Sequence, residues 1–183
     1  LIGANFVVTE NKLIQTKLLK NKSKVKTLKL RSYQKKALKA LEENKYRGII
    51  KAPTGSGKTL LIAELCNRFK DNIGLVFFTK KQILFQTYEF LQKHGIDCGI
   101  VCGEAHDIKP ITLCTIQSVD KVLGTHLKES KFILFDEVHE FGKGKITTSC
   151  LKSFPNAEVR VGFSATPPTE KTHSYTLYSF LGP

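Results

Sequence analysis

The eight residues Ala52-Pro53-Thr54-Gly55-Ser56-Gly57-Lys58-Thr59 limit what this chain can fold into more than any other stretch does. The apolar run Gly48-Ile49-Ile50 precedes them and Leu60-Leu61-Ile62-Ala63 follows, so the segment reads as a phosphate-binding loop between a buried strand and a helix. Gly55 and Gly57 let the backbone turn with its N–H groups facing inward. Lys58 can reach the outer phosphates, and the Thr59 hydroxyl can ligate a magnesium ion. Only nucleotide phosphates need all three at once. The usual pattern opens with glycine; Ala52 is small enough to keep the turn. A Gly/Ser-rich linker that merely contains lysine would not be bracketed by a strand-like and a helix-like segment.

Strand and helix signals alternate after this loop and just before it. A helix is expected after Ser32, with Ala37, Leu38 and Leu41 on one face, ending near Asn44. Then come a strand at Gly48–Lys51, a helix at Lys58–Phe69, a strand at Ile73–Thr79, and a helix at Lys80–His94 that turns Ile83, Leu84 and Leu91 inward. Strands at Gly99–Cys102 and Ile111–Thr115, a helix at Gln117–Leu123, a strand at Phe132–Asp136, a helix around Ile146–Phe154 and a strand at Glu158–Phe163 complete the pattern. The strands are continuous apolar runs, as expected when helices cover both faces of a mostly parallel sheet. The fold class is therefore α/β, doubly wound. No internal repeat is visible.

The 183 residues suffice for one ordinary domain. No run approaches the ~18 apolar residues of a membrane span, and the N-terminus lacks a signal-peptide pattern. An intracellular, cytoplasmic protein without a membrane partner is expected, or a nuclear one in a eukaryote. Cysteines 66, 98, 102, 114 and 150 are odd in number and lie mostly in apolar runs, which suits buried reduced thiols. Cys98 and Cys102 lack a second pair at zinc-ligand spacing.

The net charge of +13 is concentrated: eleven Lys or Arg and no acid fall between Asn11 and Leu41, leaving 18 basic against 16 acidic residues elsewhere. Such a block suits contact with nucleic acid, and it equally suits a solvated face in a lysine-rich protein. Asn5–Thr9 could form a strand, and Leu13, Ile14, Leu18 and Leu19 one short amphipathic helix in an arm. The absence of methionine, even at position 1, is expected of a trimmed or recombinant piece.

Lys131-Phe132-Ile133-Leu134-Phe135 runs straight into Asp136-Glu137-Val138-His139, placing two acids at the carboxyl end of a buried strand, where ligands of such sheets bind. A magnesium triphosphate needs a carboxylate in the metal's coordination shell and a base or water-positioning group near the γ-phosphate. Asp136 suits the first task and Glu137 the second.

With these segments in place the chain resembles, from about Leu30 to Pro183, the first RecA-like P-loop NTPase motor domain of a superfamily 2 helicase or translocase of the Asp-Glu-x-His kind. Leu30-Arg31-Ser32-Tyr33-Gln34 is similar to the family's adenine motif; the resemblance implies that Gln34 reads the base edge with support from Tyr33 or Arg31. Residues 52–59 are motif I, implying nucleotide contacts from Pro53, Thr54, Gly55, Ser56, Gly57, Lys58 and Thr59, with Thr59 and Asp136 on Mg2+. Val76 to Gln86 resembles motif Ia, with Thr79 where the family usually has proline; Lys80, Lys81 and Gln86 are then expected on nucleic acid. Thr112 to Ser118 looks like a later strand-contacting motif, implying Thr115 and Gln117 as phosphate-backbone ligands. Asp136 to His139 is motif II. Ser164-Ala165-Thr166-Pro167 is similar to motif III, which couples the nucleotide site to domain movement, and His139 either hydrogen-bonds to it or simply packs.

Tyr178 to Pro183 resembles the Gly-Pro segment with which UvsW-like, RecG-like and XPB-like translocases leave the first motor domain. Pro168-Thr169 departs from relatives that carry an arginine soon after motif III. The resemblance implies a basic arm or small accessory segment at 1–29, a helicase ATP-binding domain at 30–183, and a second RecA-like domain, absent from this chain, that supplies an arginine finger. The expected activity is an ATP-dependent DNA helicase or branch-migration translocase, monomeric, using ATP and Mg2+ on duplex, branched or single-stranded DNA. An RNA helicase or a non-hydrolysing nucleic-acid-binding module are the alternatives. The 183 residues alone are expected to turn ATP over slowly or not at all, and of the four arginines Arg160 is the one to inspect as a substitute finger.

Overall fold

The computed structural model describes residues 28–141, 145–167 and 171–182. Among them are seven strands: β1 (Arg47–Lys51), β2 (Gly74–Phe78), β3 (Gly99–Cys102), β4 (Ala105–Asp107), β5 (Ile111–Thr115), β6 (Phe132–Phe135) and β7 (Val159–Ser164). Six α-helices accompany them: α1 (Ser32–Glu43), α2 (Lys58–Arg68), α3 (Lys81–Lys93), α4 (Val119–Leu123), α5 (Lys145–Lys152) and α6 (Lys171–Leu181). The strand at 5–9 and the short helix at 13–19 expected from the sequence lie outside the described residues, as does Pro168-Thr169.

The strands form one sheet in the order β1-β7-β6-β2-β5-β3-β4, parallel except for β4 against β3. Every residue of β2, β3, β5 and β6 is buried, which is why these segments are unbroken apolar runs in the sequence. Alternate side chains still serve opposite faces. Val76, Phe78, Phe132 and Leu134 join a cluster with Leu38 of α1, Leu61 of α2 and Leu84 of α3. Leu75, Phe77, Ile133 and Phe135 join a second one with Val122 of α4, Cys150 of α5, and Leu177 and Leu181 of α6. Phe77 and Phe135, directly opposite in the β2–β6 register, stack with ring centroids 5.5 Å apart. Truncating a buried phenylalanine of this kind to alanine typically costs about 3–5 kcal/mol. All five cysteines are free and buried. No helix among the described residues is long and apolar enough to cross a membrane.

Four departures from the expected elements have physical reasons. Ser32 is the first helical residue rather than the residue before the helix: Arg31 keeps extended geometry, and its N–H donates to Gln34 Oε1 at 2.9 Å. Ile83 is exposed. Leu84, Thr87 and Leu91 define the inward face, and Ile83, four residues before Thr87, lies on its flank. β4 was missed because three residues, none of them buried, carry no readable period. α6 was missed because Lys-Thr-His-Ser-Tyr-Thr at its start holds few strong helix formers; the burial of Leu177 and Leu181 makes up for them.

Arg160 is not a substitute finger. It lies near the start of β7, four residues and roughly 13 Å from Ser164 at the other end. Its guanidinium donates to the carbonyls of Phe154 (3.1 Å), Ala157 (2.9 Å) and Phe180 (3.2 Å), and sits 4.8 Å from the Phe180 ring centroid. Burial, with Arg47 alongside, lowers its pKa to about 10. This arginine ties the end of α6 to the sheet.

Candidate nucleotide site

The sheet order decides what meets at its carboxyl edge. β7 lies between the strand that enters the phosphate loop and the strand that enters the acid pair, and β2 lies on the far side of β6. The ladder is continued to the edge by Ala52 N–H on Ser164 O (2.8 Å) and Asp136 N–H on Phe77 O (2.9 Å). Neighbouring strands are about 4.8 Å apart, so segments more than 100 residues apart in sequence converge here.

The loop turns through two left-handed glycines, Gly55 at φ +77° and Gly57 at φ +81°, and Ser56 N–H closes it on Pro53 O at 3.0 Å. Gly57 then starts α2 by accepting from Leu60 N–H (3.1 Å) and Leu61 N–H (3.2 Å). A Cβ at Gly57 would stand 2.5 Å from Gln34 Nε2, so both the backbone angle and the space require glycine. Pro53 and Thr59 are half-buried, and Thr54 is exposed.

The residues expected to read adenine hold the loop from outside. Tyr33 Oη donates to Ser56 O at 2.8 Å, Gln34 Nε2 donates to the same carbonyl at 3.0 Å, and Gln34 Oε1 is occupied by Arg31 N–H. Arg31 Nη1 lies 3.4 Å from Tyr33 Oη. Gln34 is buried, so in this structure its amide fixes the loop's shape.

The acid pair faces the loop. Lys58 Nζ donates to Glu137 Oε1 and stands 3.9 Å from Asp136 Oδ1. Asp136 Oδ1, Glu137 Oε2 and Ser56 Oγ are buried and lack hydrogen-bond partners. Orphaned buried oxygens are expensive, and three of them on the loop and the acid pair suit a site built for a cation and a polar ligand. The donor set fits magnesium: an oxygen-seeking ion of this kind takes one or two carboxylates and phosphate oxygens, and Asp136 and the Thr59 hydroxyl would be the protein's share. Among the described residues no group of three or more His, Cys, Asp and Glu forms a separate metal cluster.

Burial raises the Asp136 pKa above the ordinary carboxylate value, and Lys58 only partly offsets it. With the folded-state pKa above the unfolded one, ionised Asp136 costs stability as pH rises through that value. Asp136→Asn is therefore expected to raise the melting temperature of the nucleotide-free protein at neutral pH. The gain should shrink on acidification, where the natural side chain is itself neutral. Thermal melts of both proteins across pH check this; a lower melting temperature for Asp136→Asn at neutral pH would show that the Lys58 attraction outweighs burial.

A 3₁₀ turn, Val138–Glu140, follows the acid pair and lies against β7, where a Cβ on Gly162 would come within 2.8 Å of Val138. That close approach brings His139 Nδ1 to 2.8 Å from Ser164 Oγ and 3.4 Å from Glu137 Oε2. Ser164 Oγ also accepts from Thr166 N–H at 3.1 Å. Of the two readings left open for His139, the structure has the hydrogen bond. Ala165 is half-buried and Thr166 exposed.

Further along the same edge, Lys80, Lys81 and Gln86 follow β2 and Gln117 follows β5, all exposed. Thr115 is placed differently. Expected as a phosphate-backbone ligand, it is fully buried, and its hydroxyl donates to Ser118 Oγ at 3.1 Å, holding the turn that presents Gln117. Sequence reasoning passed over Lys121, whose Nζ donates to Gly103 O across this edge. A lone lysine on a short helix gives no signal apart from any solvated charge.

The sequence family described as "Type III restriction enzyme, res subunit" matches residues 27–169. The DNA 3'-5' translocase XPB2 of Sulfurisphaera tokodaii is 31% identical over 156 residues, covering 84% of this chain and 34% of the relative. Among solved structures, the SWI2/SNF2 ATPase core of Sulfolobus solfataricus in complex with dsDNA superposes with a TM-score of 0.69 at 20% identity, covering 87% of this chain and 36% of that one. The UvsW helicase of bacteriophage T4 gives 0.64 at 19% identity, with 82% and 57% covered. The chain thus spans about a third of the curated relative it matches.

Proposed function

Because the chain belongs to the type III restriction enzyme res subunit family and is a RecA-like motor domain of superfamily 2, we propose that it is the ATP-binding half of a motor that hydrolyses Mg-ATP to move along DNA. The observation that carries this reading is the phosphate loop with Lys58 facing an acid pair in which Asp136 Oδ1 and Glu137 Oε2 lack hydrogen-bond partners. Magnesium, held by Thr59 and Asp136, would neutralise charge on the phosphates when bound. Lys58 leaves Glu137 for the outer phosphates as nucleotide enters. Glu137, released, orients a water and accepts its proton. His139 registers the change in Glu137 and passes it to Ser164 and the backbone at Thr166.

The share of the relatives' length left uncovered supports a second RecA-like domain that closes over the nucleotide and adds an arginine. The exposed Lys80, Lys81, Gln86 and Gln117 would meet the nucleic-acid backbone, where contacts distinguish DNA from RNA poorly. DNA is favoured because the XPB2 relative is named a DNA translocase. ATP turnover by the full-length protein without nucleic acid and with duplex DNA, branched DNA or RNA tests the reading. Stimulation by DNA is expected; stimulation by RNA alone would make it an RNA helicase, and nucleotide binding without any turnover would make it a non-hydrolysing module.

A further inference from the structure

Arg47 and Arg160 are direct partners in the β1–β7 register, so two guanidinium groups stand side by side at the amino edge of the sheet. Both reach one acceptor: Arg160 Nη1 donates to Phe180 O at 3.2 Å, and Arg47 Nη2 donates to the same oxygen at 3.4 Å. Like charges directly opposite on neighbouring strands cost stability, and among the described residues neither arginine has a carboxylate within 4.0 Å. What offsets the cost is the last turn of α6, where free carbonyls give a helix end about half a negative charge. One arginine would suffice to tie the helix down, since Arg160 also holds Phe154 O and Ala157 O. The second sits where the chain turns away from the helix. A Cβ on Gly182, at φ +88°, would stand 3.0 Å from Arg47 Cβ, so the Arg47 stem packs directly on the residue that follows α6.

The other end of β7 carries Ser164, bonded to His139, and Val138 of the same turn lies in one apolar cluster with Leu177 and Leu181 of α6. β7 and α6 are therefore joined to the acid-pair turn at one edge of the sheet and to each other at the opposite edge. We propose that Arg47 is a positioning residue of the motor, a role that rests on the motor reading above: with Arg160 it locks the end of α6 to β1 and β7, so that a change at the nucleotide site reaches Gly182 and the second domain instead of being absorbed by slippage of the helix. Packed elements carry coupling of this kind, and residues that touch neither ligand can alter it. Removing Arg47 leaves both binding sites whole and weakens the connection between them.

ATP turnover by the full-length protein with and without duplex DNA, measured beside the separate affinities for ATP and for DNA, tests this. In Arg47→Ala the factor by which DNA stimulates turnover should fall roughly 2- to 30-fold, the range for a residue outside both sites, with basal turnover and both affinities unchanged. Arg47→Gln, which keeps part of the stem on Gly182 and loses the charge, should do the same. Arg47→Lys, which keeps the charge and a donor for Phe180 O, should restore the stimulation. Undiminished stimulation in Arg47→Ala or Arg47→Gln would overturn this role, as would an equal loss in Arg47→Lys or a fall in ATP affinity that accounts for the loss. Absence of DNA-stimulated turnover in the unaltered protein would overturn the motor reading with it.

Discussion

Glu137→Gln is expected to lower ATP turnover in the full-length protein by roughly 10²- to 10⁴-fold while leaving ATP affinity close to that of the unaltered protein. The amide is nearly isosteric, so its oxygen still accepts from Lys58 in the nucleotide-free state, yet it cannot take a proton from water. The backbone supports the choice of this residue. Glu137 sits at φ 50° and ψ 51°, a left-handed conformation that costs a non-glycine residue about 1–3 kcal/mol. What that strain achieves is visible: it turns the carboxylate from the end of β6 toward the phosphate loop, onto Lys58 and beside His139. Phosphate release measured beside binding of a non-hydrolysable analogue separates the two effects. Full turnover in the glutamine protein would take the base role away from Glu137.

Lys58→Ala should act on the other side of that division. The ammonium is the positive side chain that lies between both acids, and it is held by Glu137 only until phosphates arrive. A hydrogen bond to a charged group is worth about 1.5–3 kcal/mol, so ATP affinity should fall roughly 10- to 100-fold, with turnover lost accordingly. The nucleotide-free protein should melt lower as well, because buried Asp136 and half-buried Glu137 then face each other without a cation. Titration calorimetry with ATP, together with a melt, checks both outcomes. Unchanged affinity would mean that the nucleotide does not reach the loop.

The parts of this site that a reader of the sequence can find are those where one residue type does one chemical job. Gly55, Gly57, Lys58 and Thr59 are such a set, and so is an acid pair directly after four buried residues of β6. The buried parallel strands were equally plain, because only a sheet covered on both faces selects unbroken apolar runs. What stayed hidden depends on partners far away in sequence. That the Gln34 amide is committed to Arg31 and Ser56 follows from how α1 leans on the loop, which no local pattern encodes. The burial of Thr115 follows from its place inside the sheet beneath the Gln117 turn, and the bond between His139 and Ser164 from the missing side chain at Gly162. Arg160 shows the same limit from the other direction. Its position on the strand before Ser164 suggests the active site, but a strand has two ends, and Arg160 belongs to the wrong one.

The central claim is that Lys58 exchanges Glu137 for phosphate when nucleotide binds. The most direct measurement is a crystal structure of the protein with magnesium and a non-hydrolysable ATP analogue. Lys58 Nζ within hydrogen-bond reach of the outer phosphates, Glu137 freed from it, and the metal on Asp136 and Thr59 is the expected result. A nucleotide bound elsewhere, or bound here with Lys58 still paired to Glu137, would contradict it.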